Sequence, residues 1–259
     1  MARYMDRMLK CTTVEDAWSM HTARMAEYGF DRIFYAFTRF RSFGDFGDIQ
    51  DALILSNHDR AYLDVFLGKG LYKYAPMVRW VSGSSQMWTS WSFADAMRNS
   101  PNLSPGEREV LRLNEKFGII AGYSLRFLET SARNTSGMGL CAQRGMSQSD
   151  IDAVWEEYRE EIILLCNLFH LKVSTLPHTG QRPPLTDRQR EVLQWVADGK
   201  TVQETAIIMG LTPQAIEKHL RNARKALDVE TTAQAVAKAA AMNQFYLLRG
   251  GETGKRSRQ

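Results

Sequence analysis

Between positions 214 and 225 the chain concentrates groups suited to a polyanion or a base edge: Gln214, Glu217, Lys218, Arg221, Asn222, Arg224 and Lys225. Guanidinium groups pair with guanine edges and primary amides with adenine, while cations also meet phosphates without reading sequence. Ile216, Leu220, Ala223 and Leu227 recur at intervals of four, three and four, so one stripe is expected to be buried and the polar set to project away from it. A helix of that kind suits the major groove of duplex DNA. A solvated helix face is the plainer reading of a mixed-charge stripe.

Other groups with chemical potential lack the spacing to use it. The histidines at 21, 58, 170, 178 and 219 form no HExxH, and the cysteines at 11, 141 and 166 include no CxxC pair. Neither a metal site nor a disulfide framework is predicted. The glycines of SGMGLCAQRG do not make G-x-G-x-x-G, and the pairs Glu156/Glu157 and Glu160/Glu161 fall on a helix face where solvation explains them. No catalytic residue and no cofactor is expected.

The elements that would position the polar helix are well signalled. Thr186 and Gln189 form a capping box, with Val192, Leu193, Val196 and Ala197 on one face and Gly199 as the stop. Thr201 and Glu204 repeat the device, and Gly210 ends that second helix. Thr212 then caps a third helix with Pro213 at its first position, so two helices meet through a tight Gly-containing turn. Thr231 and Thr232 precede an Ala-rich fourth helix. The prediction is a helix-turn-helix domain over 185–250, followed by a disordered basic tail at 251–259.

Upstream, residues 13–28 read as a helix ended by Gly29. RIFYAFTRF (32–40) and DALILS (51–56) read as strands joined by a loop, and GYSLRFLET (122–130) and SGMGLCAQR (136–144) as a hairpin. Ser104–Phe117 opens with S-P-x-E, and Ser147–Leu171 is a long amphipathic helix. The fold class is α+β: an N-terminal α/β/α sandwich around a mainly antiparallel sheet (1–173), a Pro-rich linker STLPHTGQRPP (174–184), and the C-terminal four-helix domain.

Composition agrees with two folded domains. The 259 residues are 44% apolar and 24% charged. Residues 1–184 balance 21 Lys/Arg against 21 Asp/Glu, so the whole net charge of +4 arises after them, where a polyanion partner is expected. No apolar h-region or bilayer-length run is present, which predicts a cytoplasmic protein with no membrane association.

The string LTDRQREVLQWVADGKTVQETAIIMGLTPQAIEKHLRNARKALDVETTAQAVAKA (185–239) resembles the DNA-binding domain of LuxR-type transcriptional regulators. The resemblance implies a four-helix fold whose third helix enters the major groove. It puts Glu191, Trp195, Ala197, Gly199, Ala206 and Val229 on framework positions, and Gln214, Lys218, Arg221 and Asn222 on the DNA side. Phosphate contacts are expected from Arg224 and Lys225. Thr201, Thr212 and Glu217 complete the candidate DNA-binding set.

The order of sensor, linker and DNA-binding domain is similar to the members that bind N-acyl-homoserine lactone autoinducers, over roughly residues 15–172. In the segment YLDVFLGKGLYKYAPMV (62–78), Tyr62 stands where that pattern has Trp, Phe66 where it has Tyr, and Ala75 where it has the Asp before Pro76. Trp91 and Gly122 match an aromatic wall and a strand-opening glycine. With Tyr74 and Trp88 these are the candidate ligand-binding residues, and the density of rings that also includes Trp80 and Tyr72 favours an apolar pocket over simple core packing.

A carboxylate at position 75 would accept from a ligand amide N–H, which alanine cannot do, and an unpaired amide would cost about 1–3 kcal/mol. The expected function is therefore a quorum-sensing transcriptional regulator governed by an acyl-homoserine lactone or related signal. It should act as a homodimer on a partly palindromic double-stranded operator. The alternatives are a non-lactone or ligand-independent regulator, or a protein that sequesters a related regulator as a heterodimer.

Overall fold

The computed structural model describes residues 1–41, 46–98 and 100–245. The chain divides into two compact units, Met1–Leu176 and Pro177–Gln259, each with its own apolar core.

In the first unit, β1 (Phe30–Thr38), β2 (Leu53–Ser56), β3 (Trp88–Ser90), β4 (Gly122–Arg126) and β5 (Thr135–Ala142) form one antiparallel sheet in the order β2-β1-β5-β4-β3. The pleat sends alternate side chains to opposite faces. Ile33, Tyr35 and Phe37 of β1 and Leu140 of β5 join a core with α1 (Ala2–Lys10), α2 (Val14–Ala26) and α7 (Gln148–Thr175). Phe34 and Ala36 point the other way, toward α3 (Arg60–Phe66), α4 (Pro76–Gly83), α5 (Ser92–Arg98) and α6 (Pro105–Lys116).

Local signals explain the helix limits. Thr13 Oγ1 accepts from the Asp16 N–H at the start of α2, and Gly29 beyond its end takes φ +85°. Capping boxes open α6 (Ser104 with Glu107) and α7 (Ser147 with Asp150). On the face that packs α7, Tyr35 Oη lies 2.9 Å from His170 Nδ1, and His170 Nε2 lies 3.4 Å from Glu129 Oε1, to which Ser136 also donates. Burial pushes the Glu129 pKa up, but hydrogen bonds from His170, Ser136 and Asn134 outweigh it and hold the carboxyl below its usual range. Phe127 stacks on the His170 ring at 4.4 Å.

Several boundaries differ from the periodicity. The expected 32–40 strand starts at Phe30 and stops at Thr38, and DALILS begins on the last residue of a turn of 3-10 helix (Ile49–Asp51), which leaves Leu53–Ser56 as strand. The strand expected over 122–130 stops at Arg126. The apolar tail Phe127–Leu128 prolongs the pattern after the ladder has ended. Helices α1, α3, α4 and α5 and strand β3 have no counterpart in the sequence expectations. The helices have nine residues or fewer and β3 has three, too short for a periodic signal.

The second unit contains α8 (Asp187–Ala197), α9 (Val202–Met209), α10 (Pro213–Leu227) and α11 (Thr232–Ala241), around Leu185, Val192, Leu193, Ala206, Ile216 and Leu220. Capping boxes open α8, α9 and α11, and Gly199 and Gly210 take φ +82° and +64°. Ala197, expected on the buried face, is exposed because the helix ends there. Of the 174–184 stretch, Ser174 and Thr175 belong to α7. His178 is buried in the second unit, its N–H donating to Met242 O and its carbonyl accepting from Gln244 Nε2. The expected tail at 251–259 lies outside the described residues. No described helix is long and apolar enough to cross a membrane.

Candidate functional site

The sheet face opposite α7 is only partly filled, and it encloses a cavity of about 130 Å³. Its floor comes from β1 and β5: Phe34 pairs with Gly139 and Ala36 with Gly137, so the β5 side of each pair adds no side chain. Gly137 is required by close approach, since a Cβ there would stand 2.6 Å from Val81 Cγ1 of α4. Tyr62 and Phe66 sit one turn apart on α3 and stack at 5.1 Å, with Phe34 edge-on to Phe66 at 5.7 Å. Ala75, the N-cap of α4, and Trp91 complete the walls.

Two hydrogen bonds hold the polar groups of this lining. Trp91 Nε1 donates to Ser124 Oγ at 2.9 Å, and Tyr62 Oη donates to Asn114 Oδ1 at 3.1 Å. His58 also lines the cavity, 5.3 Å from the Tyr62 ring. Burial, aided by the Arg32 charge, pushes its pKa down to about 4, so it is neutral near pH 7. Burial raises the Tyr62 hydroxyl pKa well above the ordinary tyrosine range. No carboxylate, ammonium or guanidinium group lines the cavity among the described residues.

Tyr62, Phe66, Ala75 and Trp91 of the sequence candidates line the cavity, as does Tyr72. Tyr74, Trp88 and Gly122 do not. Tyr74 is 47% exposed, and its ring covers Gly106 on the outer side of α6. Trp88 pairs with Leu125, so the pleat turns it to the α7 face, where it meets Tyr123 and Trp155. Gly122 acts indirectly: a Cβ there would lie 2.1 Å from Leu140 O and 3.1 Å from Trp91 Cε3, so its bareness lets Trp91 seat. Trp80 is also outside the lining. Sequence reasoning missed His58, Asn114 and Ser124. Asn114 carried a usable signal, being a lone amide on the inner side of the capped α6 helix.

The second candidate site is the outward side of α10. Thr212 Oγ1 accepts from the Ala215 N–H at 3.2 Å and Pro213 holds the first turn, while Ile216, Leu220, Ala223 and Leu227 are buried. Gln214, Glu217, Lys218, Arg221, Asn222 and Lys225 are exposed, and none of their side chains has a hydrogen bond or ion pair with another described residue. Arg224 differs: it is half-buried and donates to Thr232 Oγ1 at 2.8 Å. Thr201 differs too. Its hydroxyl accepts from the Glu204 N–H, while its backbone N–H and its hydroxyl both donate to Glu204 Oε2 at 2.8 Å, and those two donors hold the Glu204 carboxyl below its usual pKa.

The two arrangements suit different partners. An uncharged cavity with a few hydrogen-bonding groups suits a small neutral molecule. A capped helix presenting cations and amides suits duplex DNA. Sequence comparisons divide the chain at the same place. The autoinducer binding domain family matches residues 13–173, and the family of bacterial regulatory proteins of the luxR type matches residues 183–239. The transcriptional activator protein EchR of Dickeya chrysanthemi is 22% identical over 203 residues, covering 74% of this chain and 78% of that protein. The transcriptional activator protein LuxR of Aliivibrio fischeri is 25% identical over 194 residues, covering 73% of each. The crystal structure of Escherichia coli SdiA superposes with a TM-score of 0.50 at 17% identity, covering 91% of this chain and 93% of that one. With an autoinducer-binding domain and a helix-turn-helix domain on one chain, the protein belongs to the LuxR family of quorum-sensing transcriptional regulators.

Proposed function

We propose that the cavity beneath α3 and α4 receives a small neutral signal, and that its occupancy governs operator binding by α10. The observation that carries this reading is the lining: rings and aliphatic groups around a few polar atoms, with no charge among the described residues. Tyr62, Phe66, Ala75 and Trp91 contact the signal, and Gly122 holds Trp91 in place. Gln214, Glu217, Lys218, Arg221 and Asn222 face base edges, Thr212 and Lys225 face phosphates, and Arg224 braces the helix.

The operator is partly palindromic and the protein binds it as a homodimer, because one short helix reads only a few base pairs. The protein works in the cytoplasm and has no enzymatic role. The exposed polar side of α10 argues against a partner-sequestering protein that does not touch DNA. Mass spectrometry of small molecules extracted from the purified full chain, paired with gel shifts before and after extraction, tests the proposal. An extracted neutral compound that restores operator binding is expected; full operator binding by ligand-free protein would overturn it.

A further inference from the structure

The cavity's polar atoms are unequally supplied with donors and acceptors. Asn114 Oδ1 is occupied by the Tyr62 hydroxyl at 3.1 Å, which leaves the Asn114 Nδ2 hydrogens without a partner among the described residues. Ser124 Oγ accepts from Trp91 Nε1, which leaves its own hydrogen to donate. Position 75, the N-cap of α4, carries only a methyl side chain, and its carbonyl already accepts from the Arg79 N–H at 3.1 Å. Charged acceptors are absent from the lining among the described residues. Asn114 and Ser124 therefore each have a hydrogen to offer a guest, while the acceptors of the lining are uncharged, the neutral ring of His58 among them.

We infer that Asn114, oriented by Tyr62, is a specificity-determining residue that selects a signal whose polar end presents oxygen acceptors, such as an ester, ketone or lactone carbonyl, rather than an amide N–H. This rests on the cavity being the signal site. A donor aimed at a carbonyl is satisfied by any acyl compound, whereas an amide N–H buried beside Ala75 loses its partner. The Tyr62 bond fixes the side-chain amide, so the choice is built into the wall before a guest arrives.

The test uses two probes that differ by one atom: N-hexanoyl-homoserine lactone and its ester analogue, in which oxygen replaces the amide N–H. Calorimetric titration of the full chain should show the ester binding at least as tightly as the amide. Asn114→Leu should weaken the ester by about 5- to 150-fold, and Ala75→Asp should shift the preference toward the amide by a similar factor. The pocket-filling Ala94→Phe should abolish binding of both, with thermal melts verifying that each variant is folded.

Unchanged binding in Ala94→Phe would mean that the probes sit elsewhere, and the pocket reading itself fails. Loss in Ala94→Phe with no effect of Asn114→Leu would overturn the role of Asn114 alone. An amide preference in the unaltered protein that Asn114→Leu removes would also overturn it, because Asn114 would then be accepting from the N–H. Failure of both probes to bind would count against the inference too.

Discussion

Arg224 Nη1 donates to Thr232 Oγ1 at 2.8 Å, tying the last turns of α10 to the first residue of α11. The neighbouring Lys225 is exposed and makes no such bond. Adjacent cations on one helix thus have different surroundings, and substitution separates their effects. Arg224→Ala should lower the stability of the second unit by about 1–2 kcal/mol, read in thermal or urea unfolding. Lys225→Ala should leave unfolding unchanged, weaken binding to all duplexes and lower the salt slope by about one. A melting loss in Lys225→Ala, or none in Arg224→Ala, would reverse the assignment.

Arg221 is exposed near the middle of α10, on the side opposite the buried stripe. Arg221→Ala should cost about 1–3 kcal/mol on the operator and little on random duplex. Equal loss on both sequences in competition gel shifts would make Arg221 a phosphate contact.

His21 is enclosed between Tyr4 Oη, 3.0 Å from its Nδ1, and the Phe169 ring, stacked at 4.4 Å. Burial pushes its pKa down to about 3 from the ordinary 6.5, so the unfolded chain takes up a proton in a range where the folded one does not. Stability is full above about pH 6.5 and falls as pH drops from there toward 3. His58, at about 4, acts in the same direction over a narrower range. Unfolding free energies from urea titrations at pH 7 and pH 4.5 should differ less in His21→Leu, by on the order of 2 kcal/mol. An identical pH dependence in the variant would show that His21 is not the group responsible.

Thr205 is fully buried in α9, and its Oγ1 has no hydrogen-bond partner among the described residues. Thr205→Val keeps the shape and removes the orphaned hydroxyl, so the second unit should gain about 1 kcal/mol. A lower melting temperature would reveal a partner for that hydroxyl.

Gly122→Ala forces a methyl against the Leu140 carbonyl, which is backbone and cannot rotate away. The first unit should lose about 3 kcal/mol or fail to fold, whether or not a signal is supplied. Normal melting with signal binding alone impaired would make Gly122 a direct contact.

The second unit was almost fully legible in sequence because its signals are local. A capping box, an apolar stripe and a left-handed glycine each lie within a few residues, and Thr201–Glu204, Ile216–Leu227 and Gly210 behave as their spacing predicts. The cavity was legible only in part. Tyr62 and Phe66 are one helical turn apart, so their shared direction follows from α3, yet the exclusion of Trp88 depends on its pairing with Leu125, some forty residues away. Asn114 is bonded to Tyr62 across 52 positions, a relationship that no window of periodicity contains. The Arg224 bond to Thr232 is likewise absent from the sequence pattern, since nothing in it shows that Thr232 folds back beside that helix.

Glycines 137 and 139 leave the cavity floor as bare backbone, laddered on one side to β1 and on the other to β4. Behind that floor, Tyr35, His170 and Glu129 cement the sheet to α7. A guest of unusual girth therefore meets an unyielding anvil below, and any accommodation must come from the short helical roof of α3 and α4. Amide exchange should show that roof quieting on occupancy while the strands beneath keep their original protection.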